Sequence, residues 1–562
     1  MDRRLTNVVA ASRPRRLWAV LLGFLLFSGT VARPAPCFAE EDELLPEWLQ
    51  LQAEYRIRSR TLNPFELSGT SVEAAAWSDQ RLRLDLGFVH PGLGGLHLQA
   101  DFLDGVLLGD NGQFGGEPAS SSGLSLASQQ PNAAIWEVGL PPGGDPLNPD
   151  SYVPVLRNAN LMEINKIYGE VNLPVGLLRI GRQTYNEGAA ISSHDGGRRN
   201  RWGVSQYTHT ADRVLFATKL DEAIKAAFGI RGRDMTRDNG IFLIGAYDWG
   251  TQDEIQLRED DLNQYLGSLQ FKKARARWFG WDWRDLLFST SLVYRTSTQF
   301  QTEVFGIPFR LASGVGPVEV DLQLSMLRGS TREISDGISL LTGQTPQVQD
   351  LDALGAHAQV DVEVGPAVLT LQVDYATGDA DPRGTNAMTT FNFARDFNVG
   401  LLLFEHILAF ESARSAAVGI ENLSQIDATS FPLDEIQSDG RFNNALAFFP
   451  QVTLNLVDSP RHKLRTRTGV LMAWPDVGVV DPIMSILYKD GDQISDDLVN
   501  YHGGKPGSYY GTEFDQQLEW TFADLFIWTL EGAVLFPGDG LQDEHGDAVT
   551  AFFVENRFTV LF

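Results

Sequence analysis

Several pairs of arginines in this chain stand two residues apart, among them Arg56 and Arg58, Arg81 and Arg83, and Arg465 and Arg467. In an extended strand, residues i and i+2 share a face, so each pair presents two guanidinium groups on one side of a sheet. Arginine stays charged and binds carboxylate or phosphate through a fork of donors, so such a face is suited to anion recognition. Where a sheet closes around water, rings of Arg and Lys select anions. Arg179, Lys225, Arg231, Arg233, Lys463 and Arg557 extend the basic set. The plain alternative is neutralisation by Glu54, Asp85, Asp361, Asp374, Asp515, Glu519 and Glu531, because barrel interiors are polar by default.

Acidic groups suggest a second chemistry. Asp374, Asp379 and Asp381 lie around a glycine-flanked turn, and oxygen ligands at alternate positions suit Ca²⁺. The turn lacks a twelve-position loop with a closing Glu, so a solvated turn is the stronger reading. Residues 490–497 and 539–547 are also acidic, which serves solubility or divalent bridging to lipopolysaccharide. Catalysis has no anchor. There is no Gly-x-Ser-x-Gly elbow, no His-Glu-x-x-His, no phosphate-cradling glycine loop and no Cys-x-x-Cys-His haem site, so no cofactor is expected.

The N-terminus sets the expected compartment. Arg3, Arg4, Arg13, Arg15 and Arg16 precede the apolar run 17–27, and Cys37-Phe38-Ala39 leads into Glu40. This is the anatomy of a secretory signal peptide over 1–39, too short in its apolar part to span a membrane. Cleavage after Ala39 removes six basic residues, Asp2 and the one cysteine, taking the formal charge from −27 to −32. A chain so acidic is not expected to bind nucleic acid. The thiol-free remainder suits an oxidising exterior.

The elements that must position the arginines are strands. In residues 48–59, Leu49, Leu51, Ala53, Tyr55 and Ile57 alternate with Gln50, Gln52, Glu54, Arg56 and Arg58. Residues 80–89, 354–364 and 463–474 repeat the pattern. Eighteen candidate strands follow along the chain, among them 176–184, 212–220, 223–234, 241–249, 261–271, 286–298 and 317–328, and sixteen is the other even count considered. Short connections such as 173–176, 365–366 and 523–524 alternate with long ones such as 107–160 and 378–445; the links at 250–260 and 299–316 are longer than the short set should be. That alternation is expected of a transmembrane antiparallel up-and-down β-barrel formed by residues 40–562, with short periplasmic turns and long extracellular loops. No 18-residue apolar run follows the leader, so helical spans are excluded. Residues 397–411 are too apolar to rest in water and are expected to fold into the lumen as a plug.

The last strand ends on Phe562, with Phe552, Val554, Phe558 and Val560 on one face. This resembles the terminal signal of bacterial outer-membrane proteins. It implies the outer membrane of a Gram-negative bacterium, with the barrel-assembly machinery, outer-membrane lipids and lipopolysaccharide as partners. Residues 167–188, with the step Gly181-Arg182-Gln183, resemble a strand–turn–strand signature of alginate-export-type porins. Residues 374–382, 389–397, 511–522 and 535–540 are similar to further segments of that family. The resemblance implies an eighteen-stranded monomeric channel for an anionic exopolysaccharide or other organic anions, with Arg182 in contact with the polymer and with periplasmic export partners. The competing expectations are a sheath or scaffold for an export or electron-transfer complex, and an outer-membrane hydrolase.

Overall fold

Alternation over ten or more residues does in three dimensions what it dictates locally: it makes two-faced strands that can close on themselves. The computed structural model describes the chain from Pro46 to Phe562, apart from 64–74, 109–135, 140–152, 157–159, 250–262, 413–440, 488–497 and shorter stretches of loop. The proposed leader, the acidic run 490–497, Arg231 and Arg233 lie outside the described residues.

The first strands are β1 (Leu49–Asn63), β2 (Ala75–His90) and β3 (Gly94–Leu108). A small ribbon, β4 (Trp136–Gly139) and β5 (Val153–Leu156), forms a separate two-stranded sheet in the connection that follows. The wall continues with β6 (Asn160–Leu173), β7 (Gly176–Thr184), β8 (Thr210–Lys219), β9 (Asn239–Trp249), β10 (Asn263–Trp278), β11 (Trp281–Ser297) and β12 (Thr302–Val315). It is completed by β13 (Val318–Thr331), β14 (Gln349–Val364), β15 (Ala367–Ala376), β16 (Ala445–Asp458), β17 (His462–Trp474), β18 (Gly511–Phe522), β19 (Phe526–Pro537) and β20 (Ala551–Leu561). These form one 18-stranded sheet. Every neighbouring pair is antiparallel, and β1 pairs with both β2 and β20, so the sheet is a closed barrel with no edge.

The outer face is apolar. Phe552 and Val554 of β20 are 52% and 51% exposed, whereas Phe553 between them is 2% exposed. A closed wall with an apolar exterior satisfies its backbone internally, which is the condition for standing in lipid.

Two expectations fail, and their errors cancel in the count. The strand expected over 223–234 is not formed by its described residues 223–230. Leu220–Ala227 form helix α1, with Asp221 and Glu222 in the first turn and Lys225 paired to Glu222 at 2.6 Å. Gly229 (φ +69°) ends it, with Gly229 N–H donating to Ala226 O at 3.0 Å and Ile230 N–H to Lys225 O at 2.9 Å. That paired closure needs a residue in the left-handed region, which glycine supplies without strain. Conversely, Thr302–Val315, inside the expected link 299–316, is a strand. Pro308 and Gly306 interrupt its pattern, and Pro308 has no N–H for the ladder. One false strand and one missed strand leave eighteen, but β9, β10 and β11 run opposite to the expected directions.

Candidate functional site

The arginines of β1 and β2 do face inward, where register brings them to carboxylates. Across β1 and β2, Arg58 stands opposite Asp79 and Arg56 opposite Arg81; across β1 and β20, Arg58 meets Arg557 and Arg60 meets Glu555. Arg58 Nε donates to Asp79 at 2.8 Å and Arg60 donates to its other oxygen at 2.7 Å. Arg83 forks onto Asp101 with two bonds of 2.7 Å and reaches Gly196 O at 3.0 Å. Arg81 pairs with Glu54 at 3.1 Å, Arg56 donates to Ser205 O at 3.3 Å, and Arg557 bridges Glu531 and Glu555. Six guanidinium groups (Arg56, Arg58, Arg60, Arg81, Arg83, Arg557) thus share five carboxylates (Glu54, Asp79, Asp101, Glu531, Glu555) in a buried, nearly neutral wall. Removing one partner from such a network leaves an uncompensated charge and costs about 3–5 kcal/mol.

The second basic strand, β17, is divided. Arg467 is buried against Trp202, with its guanidinium 5.5 Å from the ring centre, and donates to Thr453, Gln517 and the Arg201 carbonyl. Arg465 is more open and pairs with Glu519 at 2.8 Å. Trp202 enters from the β7–β8 connection, donates to Gln451 at 3.1 Å and stacks on Phe449.

Residues 397–409 lie inside the barrel. Phe397, Val399, Leu401 to Phe404, Ile407 and Leu408 are buried and share one apolar cluster with Leu62 of β1, Phe449 of β16, Leu471 of β17, Leu535 of β19 and Phe553 of β20. Leu403–Leu408 form a π-helical turn. Its leading N–H groups are bound by one carboxylate on the wall: Glu513 of β18 accepts from Leu401, Leu402 and Leu403 at 2.7, 2.9 and 2.7 Å. Gly400 precedes them at φ +82°, and a Cβ there would stand 2.8 Å from Glu513 Oε1.

The plug and the arginine wall occupy one side of the lumen. The other side, along β7 to β13, holds a cavity of about 430 Å³. Its lining includes Arg179, Arg213, Arg295, Arg310, Arg441 and His209, and no Asp or Glu among the described residues. The paired acids are not among the residues that line it. Arg213 meets Asp248 at 2.5 and 2.6 Å, Arg310 meets Asp321 at 2.6 Å, and Arg179 meets Glu170 at 3.0 Å. Arg295 donates to the neutral Gln264 at 2.6 Å. Ser268, Ser289, Ser291 and Ser325 supply small hydroxyls between these cations, and Tyr185, Phe300 and Phe391 supply aromatic faces. Arg213, Arg295 and Arg310 are each isolated in their strands and so form no basic pair in the sequence; the shared parity of Arg213 and Leu215 in 210–219 is the one local signal of an inward position.

Two expected positions are placed elsewhere. Arg182 is three residues from the lumen-facing Arg179, an odd separation, and lies on the outer face with Ile180, paired to Asp212 at 3.0 Å. The lumen contact implied for it is therefore not available. Asp374 is buried on β15, bonded to His357 at 2.6 Å and Gln372 at 2.7 Å. Asp379 accepts from Asp381 N–H at 3.0 Å, and Asp381 binds Arg383 at 2.8 Å. Burial raises the Asp379 carboxyl above its usual range, with neighbouring Asp381 adding to the shift. Among the described residues no three His, Cys, Asp or Glu groups converge on a metal position.

No family model matches the chain, and no curated protein does. Solved structures similar to it include Pseudomonas aeruginosa OccK5 (OpdH), 9% identical with a TM-score of 0.42, covering 91% of this chain and 98% of that one. The Pseudomonas aeruginosa outer membrane protein OpdK is 10% identical, TM-score 0.42, covering 91% and 99%. Acinetobacter baumannii OccAB4 is 8% identical, TM-score 0.43, covering 91% and 98%.

Proposed function

We propose that this barrel is an outer-membrane channel for anionic solutes, and that the solute path runs along the β7–β13 side of the lumen. The observation that carries this reading is the cavity lined by five arginines with no carboxylate at its surface among the described residues. At an effective dielectric of ~20, a charge at 4 Å contributes about 4 kcal/mol before desolvation, so an anion in the cavity meets guanidiniums at contact and their paired acids only farther off. The termini and short connections belong to the periplasmic end and the long loops to the outside. The expected leader 1–39 and the Phe562 terminus supply the route through the periplasm and the assembly machinery.

Small organic anions fit this path better than a polysaccharide strand, because the plug and Trp202 fill the side of the lumen beside β16 to β20. The alternating serines and aromatic rings suit a carboxylate on a compact apolar body. The test is reversal potential in a salt gradient across planar bilayers. Wild type is expected to favour anions. Arg295→Gln is expected to shift the potential toward zero, whereas Arg465→Gln on the plugged side leaves it unchanged. Cation preference in wild type, or no change for Arg295→Gln, sinks the proposed path; absence of any current returns the barrel to a sheath or scaffold.

A further inference from the structure

Between the arginines of the cavity the lumen wall changes character. On the long-loop side of the register shift between Arg284 and Leu287, the inward side chains of β8 to β13 stand in level rows. One row begins Arg213, Asp248, Gln264 and Arg295, each directly opposite the last. The next row, two residues along each strand, is Leu215, Ala246, Leu266, Val293, Gly306 and Leu327. Six successive strands thus contribute no polar side chain to it. The row after that mixes Ile244 and Pro308 with Ser268, Ser291 and Ser325. Arg310 and Gln323 follow one step further.

Barrel interiors are polar by default, so an unbroken apolar row on a lumen wall calls for something apolar to cover it. At one end the plug does this, since Leu327 packs against its apolar cluster. Leu215, Leu266 and Val293 are half-buried and line the cavity instead. Two residues along a strand are about 7 Å, which is the spacing between rows. Leu266 stands opposite Val293, one step below the facing pair Gln264 and Arg295. An anion held at Arg295 therefore has aliphatic wall within reach of a short chain, and hydroxyls beyond it. A polyhydroxylated anion in the same place would set its hydroxyls against Leu266 and Val293, where they lose hydrogen bonds to water and gain none.

We infer that the row Leu215, Leu266, Val293 and Leu327 sets the specificity of the channel, favouring short-chain alkanoates over equally small hydrophilic anions. The carboxylate is received at Arg295 and the alkyl chain lies on Leu266 and Val293, so two neighbouring strands supply both halves of the site. The chain is short because the serine row bounds the apolar band on its far side. The inference deepens the anion-channel reading and rests on it, and the experiment separates the two.

Full-length protein is placed in planar bilayers in potassium chloride, and block of the chloride current is titrated with hexanoate, acetate and gluconate. Acetate shares the charge of hexanoate without its chain, and gluconate matches its carbon skeleton with hydroxyls added. Hexanoate is expected to halve the wild-type current at about tenfold lower concentration than either, because a fully buried methylene gives roughly fourfold and this wall covers one side of the chain. Leu266→Asn with Val293→Thr is expected to bring hexanoate to the level of acetate while the reversal potential stays anion-selective. Leu266→Met is expected to keep the preference. Heat-modifiable migration confirms folding, and Val293→Thr alone, which keeps the side-chain shape, carries the test with a fall of about threefold if the double variant does not assemble. An anion-selective wild type blocked equally by hexanoate and gluconate overturns the apolar row alone, as does a polar variant that keeps the preference. A wild-type current without anion preference overturns the channel reading beneath it.

Discussion

Glu513 shows how one side chain can hold a whole segment in place. Its carboxylate receives three consecutive N–H groups at the start of the π-helical turn, which satisfies donors that the turn cannot satisfy itself. Hydrogen bonds to a charged acceptor contribute about 1.5–3 kcal/mol each. Glu513→Gln keeps the shape and loses the charge, so the plug is expected to loosen while the wall stays closed. Gly400→Ala attacks the same junction through its backbone, at a left-handed φ that costs a non-glycine residue roughly 1–2 kcal/mol, and through a clash with Glu513 and Leu471. Single-channel recordings check both variants: larger or noisier conductance is expected, and quiet wild-type openings in both would mean that the plug is held elsewhere.

At the scale of the element, the plug joins an apolar body to a buried imidazole. His406 packs 4.7 Å from Phe553, and burial, with Arg60 and Arg58 nearby, holds its pKa well below the ordinary 6.5. A base whose folded pKa is depressed stays neutral in the native state, while the unfolded segment takes a proton once pH falls below about 6.5. The stabilisation is therefore fully present above that value and declines as the medium is acidified. Conductance at pH 5 is expected to exceed that at pH 7.5, and His406→Phe is expected to flatten the difference. An unchanged acid response in that variant assigns the effect to other groups. The same scale explains the helix that replaced an expected strand. Residues 220–230 alternate loosely enough to pass as β, but the Glu222–Lys225 pair and the Gly229 closure satisfy a helix locally.

For the whole molecule the decisive relation is closure. β20 joins β1 over a long antiparallel register, and its outer row ends on the exposed Phe562. Replacing Phe558 and Phe562 by Asp puts charge on the lipid-facing row at the seam. Each is expected to cost up to about 2 kcal/mol in lipid and to damage the terminal assembly signal. Loss of the heat-modifiable, membrane-inserted form is the expected result. Normal insertion of that double variant would show that neither the seam register nor the terminal row governs assembly.

Alternation, turn lengths and the terminal row were legible in the sequence because they are local: a strand's two faces depend only on residues two apart. The inward parity of Arg56, Arg58, Arg81 and Arg83 was legible for the same reason. What those arginines touch was not, since Asp79, Asp101 and Glu555 reach them only through the register between strands. Pro308 hid a strand because its ladder neighbours, not its own sequence, hold it extended. The tertiary structure alone decided which guanidiniums front open space. The bond from Glu513 to Leu401, across 112 positions of chain, helps hold the plug on one side of the barrel. The cavity therefore falls to Arg213, Arg295 and Arg310 on the other. Which charges a lumen presents depends on which part of it is filled, and that is a property of packing between segments far apart in sequence.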